Sequence, residues 1–391
     1  MKVLQVIPSV AHRTGGPAVM AVEIARALER RGVSNAIYAT DMAYPAQTAR
    51  RQRVRPDELP PGAAEVELRL FPARPPHRFA YSPLLGRALR RDVREYDIVH
   101  LHTIFLYPVV TAYREARRAD VPYMISLHGA LDPWQRTRRR PRKAIADRLW
   151  VRRMLGAAAV IHVDTPDEER LASDVVPHVP RAVVAPGIDW DGLQQPSPPR
   201  LFRERYLGGA DGPLVLSVAR IAENKGHDVL IRAFASVARE LPDASLALIG
   251  PDDQGLRPRL LELAATEGVD ERVVFAGMAS EEEKRSALAA AAAWALPSLA
   301  EAFGIAAVEA LAAGVPVVVS PSVNLAPELE AAGAGLVRER TPEAFAEALL
   351  TLLRSDERRR ELGERGREFA RRYDWRALAP RWVETYERAA A

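Results

Sequence analysis

Short runs of β-branched and other apolar residues alternate with amphipathic helical stretches along the whole chain. The first half contains the predicted strands KVLQVIPS, NAIYAT, DIVHLH, YMISLHG, AVIHVD and AVVAPG, with a helix from about Pro17 to Arg31 after the first of them. The second half repeats this rhythm with PLVLSVA, SLALIGP, RVVFAG, AAWALPS and VPVVVSP. Strands that alternate with helices pair in parallel. We therefore predict an α/β protein with two doubly wound sheets, one after the other.

The charge of the chain changes near residue 195. Residues 1–195 carry a net charge of +9 and the remainder carries −5, which together give the overall +4. The segment LQQPSPP, from Leu193 to Pro199, has the composition of a linker. We expect an N-terminal domain over residues 1–195 and a second domain over 196–372. A final helix rich in Trp and Arg follows over 373–391, and the sequence leaves open whether it crosses back to the first domain.

Composition narrows the class of protein. The chain has 391 residues, of which 48% are hydrophobic and 27% charged, as in a soluble globular protein. It has no Cys, which excludes disulfides, thiolate metal sites and a cysteine nucleophile. The first residues, MKVLQVIPSVAHRTGG, are typical of a strand and a turn, and no stretch approaches 18 uninterrupted apolar residues. We therefore expect a cytoplasmic protein without an export signal or a membrane span.

The segment PSLAEAFGIAAVEALAAGVPVVVSP, residues 297–321, predicts an anion site. Gly304 precedes a helical run, and the free N–H groups and dipole of a helix start attract a phosphate near Phe303 to Ile305. Two acids beside an anion site are favourable only if they bind neutral hydroxyls. We expect Glu301 to accept hydrogen bonds from a sugar ring and Glu309 from a ribose. The alternative is that both are ordinary solvated helix acids.

Three other loops carry candidate binding groups. Arg220 and Lys225 follow the strand PLVLSVA and are suited to a diphosphate, or they are a solvated surface pair. Gly15 and Gly16 follow the first strand and predict a phosphate or sugar cradle. They lack the full G-x-G-x-x-G spacing, and the alternative is a tight connection. His128, in SLHGALDPW, follows a strand where its side chain is expected to project into a cleft, although a lone His is often structural.

The candidate segments form a recognisable set in this order: the GG turn, the His-Gly after a middle strand, APGID, the Arg and Lys five residues apart, F-x-G, and the two glutamates around FG. The whole chain, over about residues 1–388, resembles the retaining family 4 glycosyltransferases of the GT-B fold. The resemblance is especially to bacterial members that build exopolysaccharide or cell-envelope glycans. This resemblance implies two Rossmann-like domains that face each other across a cleft.

The resemblance also implies roles for the candidate residues. Arg220 and Lys225 would bind the diphosphate of a nucleotide-sugar donor, and Glu309 would bind its ribose. The other implied donor contacts are Glu301 and the backbone of Phe303, Gly304 and Ile305 for the sugar, the loop of Gly277 and Met278 for the base, and Gly15 and Gly16 for a phosphate or the acceptor. The catalytic set would be His128, Arg220, Lys225 and Glu301, and His128 would contact the sugar.

The implied reaction is the transfer of a hexose from a UDP- or GDP-sugar with retention of configuration. The two cations and the helix start would stabilise the charge on the leaving diphosphate, whose oxygen takes the acceptor's proton. The family does without a metal, so the resemblance implies that no metal or other cofactor is needed. Two alternatives remain: a GT-B epimerase, or a catalytically inactive nucleotide-sugar-binding scaffold at the membrane. The base, the sugar, the acceptor, the linkage and the oligomeric state are left open.

A basic stretch suggests the acceptor side. Residues 136–153, RTRRRPRKAIADRLWVRR, contain nine basic residues and one acid, close to Trp134 and Trp150. Arg138, Arg139 and Arg140 with Trp134 are candidates for contact with an anionic membrane surface or a lipid-linked saccharide acceptor. We therefore expect peripheral association with the inner face of the cell membrane, the alternative being a solvated helix face. Nucleic acid is not expected, because no recognised binding module accompanies the basic run.

Overall fold

The computed structural model describes residues 1–43, 53–133, 145–252 and 254–391. The chain divides into two compact units. The first unit contains residues 1–187 and 375–391, and the second contains residues 188–374. The Leu193 to Pro199 segment thus lies in the second unit, while nearly all of the final helical segment belongs to the first.

The first unit is built on a parallel sheet of seven strands in the order β3-β2-β1-β4-β5-β6-β7. The strands are β1 Lys2–Ile7, β2 Ser34–Thr40, β3 Glu67–Phe71, β4 Ile98–His102, β5 Tyr123–Ser126, β6 Val160–Val163 and β7 Arg181–Val183. Its helices are α1 Gly16–Glu29, α2 Pro83–Asp92, α3 Tyr107–Ala119, α4 Arg152–Gly156 and α5 Pro166–Val175. The central strands are buried along most of their length, as expected for a sheet with helices on both faces.

The second unit contains a parallel sheet of six strands in the order β10-β9-β8-β11-β12-β13. The strands are β8 Leu214–Val218, β9 Ser245–Ile249, β10 Val273–Gly277, β11 Ala291–Leu296, β12 Val317–Val319 and β13 Leu336–Val337. The helices are α6 Trp190–Gln194, α7 Pro199–Tyr206, α8 His227–Glu240, α9 Arg257–Thr266, α10 Glu281–Ala290, α11 Ile305–Ala312, α12 Ala326–Ala331, α13 Pro342–Leu353 and α14 Asp356–Ala370. The predicted fold class, two Rossmann-like α/β units, is confirmed.

Two strands were not predicted, and both are at the edge of a sheet. The strand β3 has the sequence ELRLF, and all five of its residues are partly or fully exposed, so it lacks the buried apolar run that marks a central strand. The strand β13 has only two residues, too few to leave a pattern. Both extend their sheets without changing the order of the central strands.

The last helix, α15 Trp375–Ala390, packs onto the first unit. Its apolar face buries Trp375, Trp382 and Tyr386 in one cluster with Ile24 and Leu28 of α1. Large aromatic side chains contribute much of the apolar area that stabilises such a contact. Among the described helices, none is both long and apolar enough to cross a membrane.

Each sheet has one topological switch point. In the first unit β1 lies between β2 and β4, and in the second β8 lies between β9 and β11. At such a point the connections leave in opposite directions, so that a crevice opens at the carboxyl ends of the two strands, where open α/β sheets bind ligands. The candidate residues follow these strands: Gly15 and Gly16 after β1, Arg220 and Lys225 after β8, and Glu301 after β11.

Candidate functional site

In the second unit, two loops meet at the switch point between β8 and β11. Gly226, with φ 71°, ends the loop after β8, and a Cβ at this position would lie 2.0 Å from the carbonyl oxygen of Pro297. Only glycine permits so close an approach. Asn224 joins the same loops, because its backbone oxygen accepts from Leu299 N at 2.7 Å and its Nδ2 donates to the oxygen of Ala300 at 2.9 Å. The loop that carries Lys225 is therefore held against the loop that carries Glu301.

These loops bring Lys225 and Glu301 together. Their side chains form an ion pair and are only 10% and 18% exposed. Arg220, half-buried, lies at the start of the same loop, and its carbonyl oxygen accepts a hydrogen bond from Nε2 of His227 at 3.1 Å. Burial lowers the pKa of His227 to about 4, so this ring is neutral at physiological pH and serves to hold the loop. The predicted diphosphate residues are thus presented by one constrained turn.

The helix α11 begins beside Glu301. Gly304 adopts φ 93°, a left-handed conformation that favours glycine, and no side chain caps the helix start. Glu301 is fixed by its backbone, since its N–H donates to Ser322 at 3.2 Å and its oxygen accepts from Asn324 N at 3.1 Å. The side chain of Phe303 is buried against the ring of Tyr373, so its backbone is the part that can meet a ligand. The first amides of an α-helix have no intrahelical partner, which leaves an anion-binding end next to Glu301.

Glu309 lies further along α11 and has a partner that the sequence analysis missed. Nζ of Lys284, in α10, is 2.9 Å from Oε1 of Glu309 and 3.0 Å from Oε2 of Glu281. Burial alone would lower the pKa of Lys284, but the two carboxylates outweigh it and raise the pKa above its usual value. Glu309 is therefore held by a permanently charged ammonium. The E-E-E-K run of α10 resembles a solvated helix face, which explains why Lys284 was overlooked.

The predicted base-binding loop follows β10. Gly277 has φ 69°, and its carbonyl oxygen accepts from Gly250 N at 2.8 Å, which ties the ends of β9 and β10 together. Met278 is 46% exposed. An exposed apolar side chain beside a constrained turn is compatible with stacking on a flat ring.

In the first unit, His128 is constrained in backbone and in side chain. It has φ 50°, which is rare for a residue other than glycine, and the N–H of the following Gly129 donates to Oε1 of Glu168 at 2.6 Å. The His128 ring is half-buried, with Nε2 3.0 Å from Nδ1 of His102. Burial, together with the neighbouring His102, lowers the pKa of His128 well below its usual value. His128 is therefore a neutral imidazole held in one orientation.

The turn after β1 is less constrained at its second glycine. Gly15 has φ 96° and precedes α1, whose first residue is Gly16. A Cβ at Gly16 would meet nothing within 4 Å. The predicted cradle therefore has space beside Gly16. Neither packing nor backbone conformation requires glycine at this position.

The acceptor candidates Trp134, Arg138, Arg139 and Arg140 lie outside the described residues. The part of the basic stretch that is described begins at residue 145, where Ile145 and Leu149 are 60% and 61% exposed one helical turn apart. Arg148 and Arg152 are exposed beside them. Trp150 instead packs against the core and donates to the carbonyl oxygen of Ile104 at 3.2 Å, so its ring is not an exposed interface aromatic.

Comparison with known proteins identifies the family. Residues 15–187 match the family described as Glycosyl transferase 4-like domain, and residues 201–369 match Glycosyl transferases group 1. The D-inositol 3-phosphate glycosyltransferase of Kineococcus radiotolerans is 30% identical over 414 residues, covering 96% of this chain and 91% of that protein. The chain belongs to the GT-B glycosyltransferases of the family 4 type.

Other relatives and solved structures point to the same family and fold for this glycosyltransferase. The D-inositol 3-phosphate glycosyltransferase of Xylanimonas cellulosilytica is 29% identical, with 96% of this chain and 92% of that protein covered. Among solved structures, Anabaena HepE in complex with UDP-glucose has a TM-score of 0.78 at 19% identity, covering 99% of each chain. Sucrose-phosphate synthase from Thermosynechococcus elongatus has a TM-score of 0.76 at 20% identity, covering 99% of this chain and 98% of that one. At such identities these two structures establish the shared GT-B fold.

Proposed function

We propose that this glycosyltransferase moves a hexose from a UDP- or GDP-sugar to a saccharide acceptor with retention of configuration. The diphosphate binds to Arg220, Lys225 and the start of α11, the sugar to Glu301, and the ribose to Glu309. The acceptor is a lipid-linked saccharide of exopolysaccharide or cell-envelope synthesis. The reaction needs no metal.

One observation carries the donor half of this proposal: three predicted donor groups lie together at the switch point of the second sheet. Lys225 and Glu301 form an ion pair, and Glu301 precedes the uncapped start of α11 by a few residues. A diphosphate can take the ammonium of Lys225 as a partner, which leaves the carboxylate of Glu301 to accept from sugar hydroxyls. The cation and the helix start then stabilise charge on the leaving group where it develops.

The first test is a thermal-shift panel of nucleoside diphosphates and nucleotide sugars in the presence of EDTA. A ligand that binds the folded state raises the apparent melting temperature by mass action. We expect stabilisation by one diphosphate series, lost in Arg220→Ala and retained in Arg259→Ala, an exposed arginine of α9. No stabilisation by any member of the panel would contradict the assignment of the donor site.

Retention of configuration and independence of a metal are tested in a sugar-transfer assay. The anomeric proton of the product, observed by NMR as the reaction proceeds, reports retention or inversion directly. Parallel reactions with EDTA and with added Mg²⁺ or Mn²⁺ report any need for a metal. An inverted product, or turnover that EDTA abolishes and Mg²⁺ restores, would overturn the corresponding part of the proposal.

The acceptor is tested against the alternative that the relatives suggest. D-inositol 3-phosphate, the compound in the relatives' name, is compared with lipid-linked saccharides as acceptors for the donor identified above. Faster transfer to the inositol phosphate would replace the lipid-linked acceptor in our proposal.

The proposed association with a membrane rests on the charge of residues 136–153 and on the exposed Ile145 and Leu149. Vesicles containing phosphatidylglycerol should bind the protein at low salt and release it at high salt, because surface charge is screened. The triple variant Arg138→Ala, Arg139→Ala, Arg140→Ala should bind less. A matched triple of exposed arginines, Arg239→Ala, Arg259→Ala and Arg360→Ala, should not change binding. Equal losses in both would show a nonspecific effect of net charge.

A further inference from the structure

Three side chains form a continuous hydrogen-bonded chain inside the first unit. Oε1 of Gln5, on β1, lies 2.9 Å from Nε2 of His102, at the end of β4. Nδ1 of His102 lies 3.0 Å from Nε2 of His128. Gln5 and His102 are fully buried, whereas His128 is partly exposed. The chain therefore runs from the interior of the sheet to the loop that holds the candidate substrate residue.

The geometry of the two rings fits a direct hydrogen bond. Their planes differ by 8°, and their centroids are 5.3 Å apart. Two imidazoles joined edge to edge through nitrogens at 3.0 Å have this separation, because each nitrogen lies about 1.1 Å from its ring centroid. The rings are thus nearly coplanar and share one proton along the line between them.

The chemistry of Gln5 determines where that proton resides. In this orientation of the Gln5 amide the carbonyl oxygen faces His102, and because a carbonyl oxygen only accepts, Nε2 of His102 carries a hydrogen. A neutral imidazole carries one hydrogen, and Nδ1 of His102 is then a lone-pair acceptor. His128 must donate from Nε2, which leaves its own Nδ1 as an acceptor. Burial lowers the pKa of both histidines well below the usual value, and this keeps them neutral.

We propose that Gln5 and His102 are positioning residues that hold His128 as the Nε2–H tautomer, so that Nδ1 accepts a hydrogen bond from a substrate hydroxyl. The role toward substrate rests on the proposed function. Without the chain, the His128 ring would exchange between two tautomers, and one of them would present a donor where an acceptor is needed.

The partners of Gln5 support a role beyond packing. Within the described part of the chain, Nε2 of this buried amide has no hydrogen-bond partner. A buried donor without a hydrogen-bond partner destabilises the folded state. A methionine of similar length would fill the space without that cost. The hydrogen bond to His102 is thus what glutamine provides at this position.

A second network in the same unit supplies a matched control. Ser126 lies 2.6 Å from Nε2 of His100 and 2.8 Å from Nδ1 of His162, and neither bond reaches His128. Ser126 is as deeply buried as Gln5. Ser126→Ala removes buried hydrogen bonds from the same core and leaves the Gln5–His102–His128 chain in place.

The experiment is ¹⁵N NMR of the full-length protein with labelled histidine, which distinguishes protonated from unprotonated ring nitrogens. His128 in the wild type should carry its proton on Nε2. Gln5→Met should give a detectable Nδ1–H population, and Ser126→Ala should not. An Nδ1–H tautomer in the wild type would overturn the proposal even if neither variant folds, and so would an unchanged tautomer in Gln5→Met.

Kinetics test the role toward substrate. Loss of one well-placed hydrogen bond should lower kcat/KM about two- to tenfold in Gln5→Met, with Ser126→Ala close to wild type. A shifted tautomer with unchanged kcat/KM would remove the hydrogen bond to substrate from the proposal. If the wild type transfers no sugar at all, both the proposed function and the hydrogen bond to substrate are overturned. The NMR measurement still decides the tautomer of His128.

Discussion

The two units share a doubly wound parallel sheet with one switch point, yet they build opposite kinds of polar interior beside it. In the first unit, neutral imidazoles are joined through Gln5 and Ser126. In the second, charged partners are paired: Lys225 with Glu301, and Lys284 with Glu309. The same fold therefore carries uncharged hydrogen-bonding groups on one sheet and fixed ions on the other.

The difference follows from how each group is desolvated. Burial without a counter-charge neutralises a histidine, which then offers a directional donor and acceptor. Burial beside a carboxylate keeps a lysine charged, as for Lys284. Uncharged hydroxyls are matched by the first arrangement, whereas a diphosphate needs the second. We infer that the first unit is suited to orienting hydroxyl groups and the second to stabilising charge.

The largest expected contrast is the response of the two units to acid. His100, His102, His128 and His162 in the first unit all have lowered pKa values, and that of His162 is about 4. Between the ordinary value of 6.5 and about 4, the unfolded chain binds protons that the folded unit rejects, so stability is present above pH 6.5 and falls as the pH drops. For His162 alone the loss at pH 4 is about 3 kcal/mol.

The second unit should lose less stability in acid, because it contains one histidine, His227. In the first unit, burial raises the pKa of Asp164 and Glu168, so these carboxyls take up protons early in the folded state and offset part of the loss. Hydrogen–deuterium exchange, pulsed at a common pH after equilibration at pH 7 and pH 4.5, should show the first unit opening first. His162→Gln should flatten its pH dependence. Earlier opening of the second unit would contradict the comparison.

The next largest effect concerns the charge at the second switch point. Lys225→Met removes the proposed diphosphate cation and leaves Glu301 without its ion-pair partner. We expect kcat/KM to fall about ten- to a hundredfold, since a hydrogen bond to a charged group contributes about 1.5–3 kcal/mol. Steady-state kinetics with the donor found by thermal shift measure this change.

Glu301→Gln is the matched variant for this pair. It keeps a side chain that accepts from hydroxyls and removes only the charge, so we expect a smaller decrease than for Lys225→Met. A double variant tests the coupling, because residues in direct contact are not additive. Wild-type kcat/KM in Lys225→Met would show that the ion pair only stabilises the fold.

The contrast between the units also shows what a sequence can and cannot reveal. Arg220 and Lys225, like Glu301 and Glu309, occur within short segments next to apolar strands, and their placement after β8 and β11 was predictable from local pattern. Gln5 and His102 are 97 positions apart and meet only because β1 pairs with β4. Long-range pairing is invisible in local periodicity. For the same reason the sequence around Lys284, which is typical of a solvated helix, does not predict its contact with Glu309.

The smallest expected effect tests whether Lys284 orients Glu309 for a ribose. Lys284→Met removes the cation 2.9 Å from Oε1 of Glu309 and frees that carboxylate to rotate. We expect the dissociation constant of the nucleoside diphosphate to rise about two- to tenfold, with the affinity for its 2′-deoxy analogue changing less. Glu281→Gln removes the other carboxylate near Lys284 and leaves the bond to Glu309. It should therefore bind both nucleotides nearly as the wild type does. Equal losses for the ribose and deoxyribose forms in Lys284→Met would instead assign the wild-type ammonium to the phosphates. The second unit would then use three cations for the diphosphate, and Glu309 would act through its charge alone.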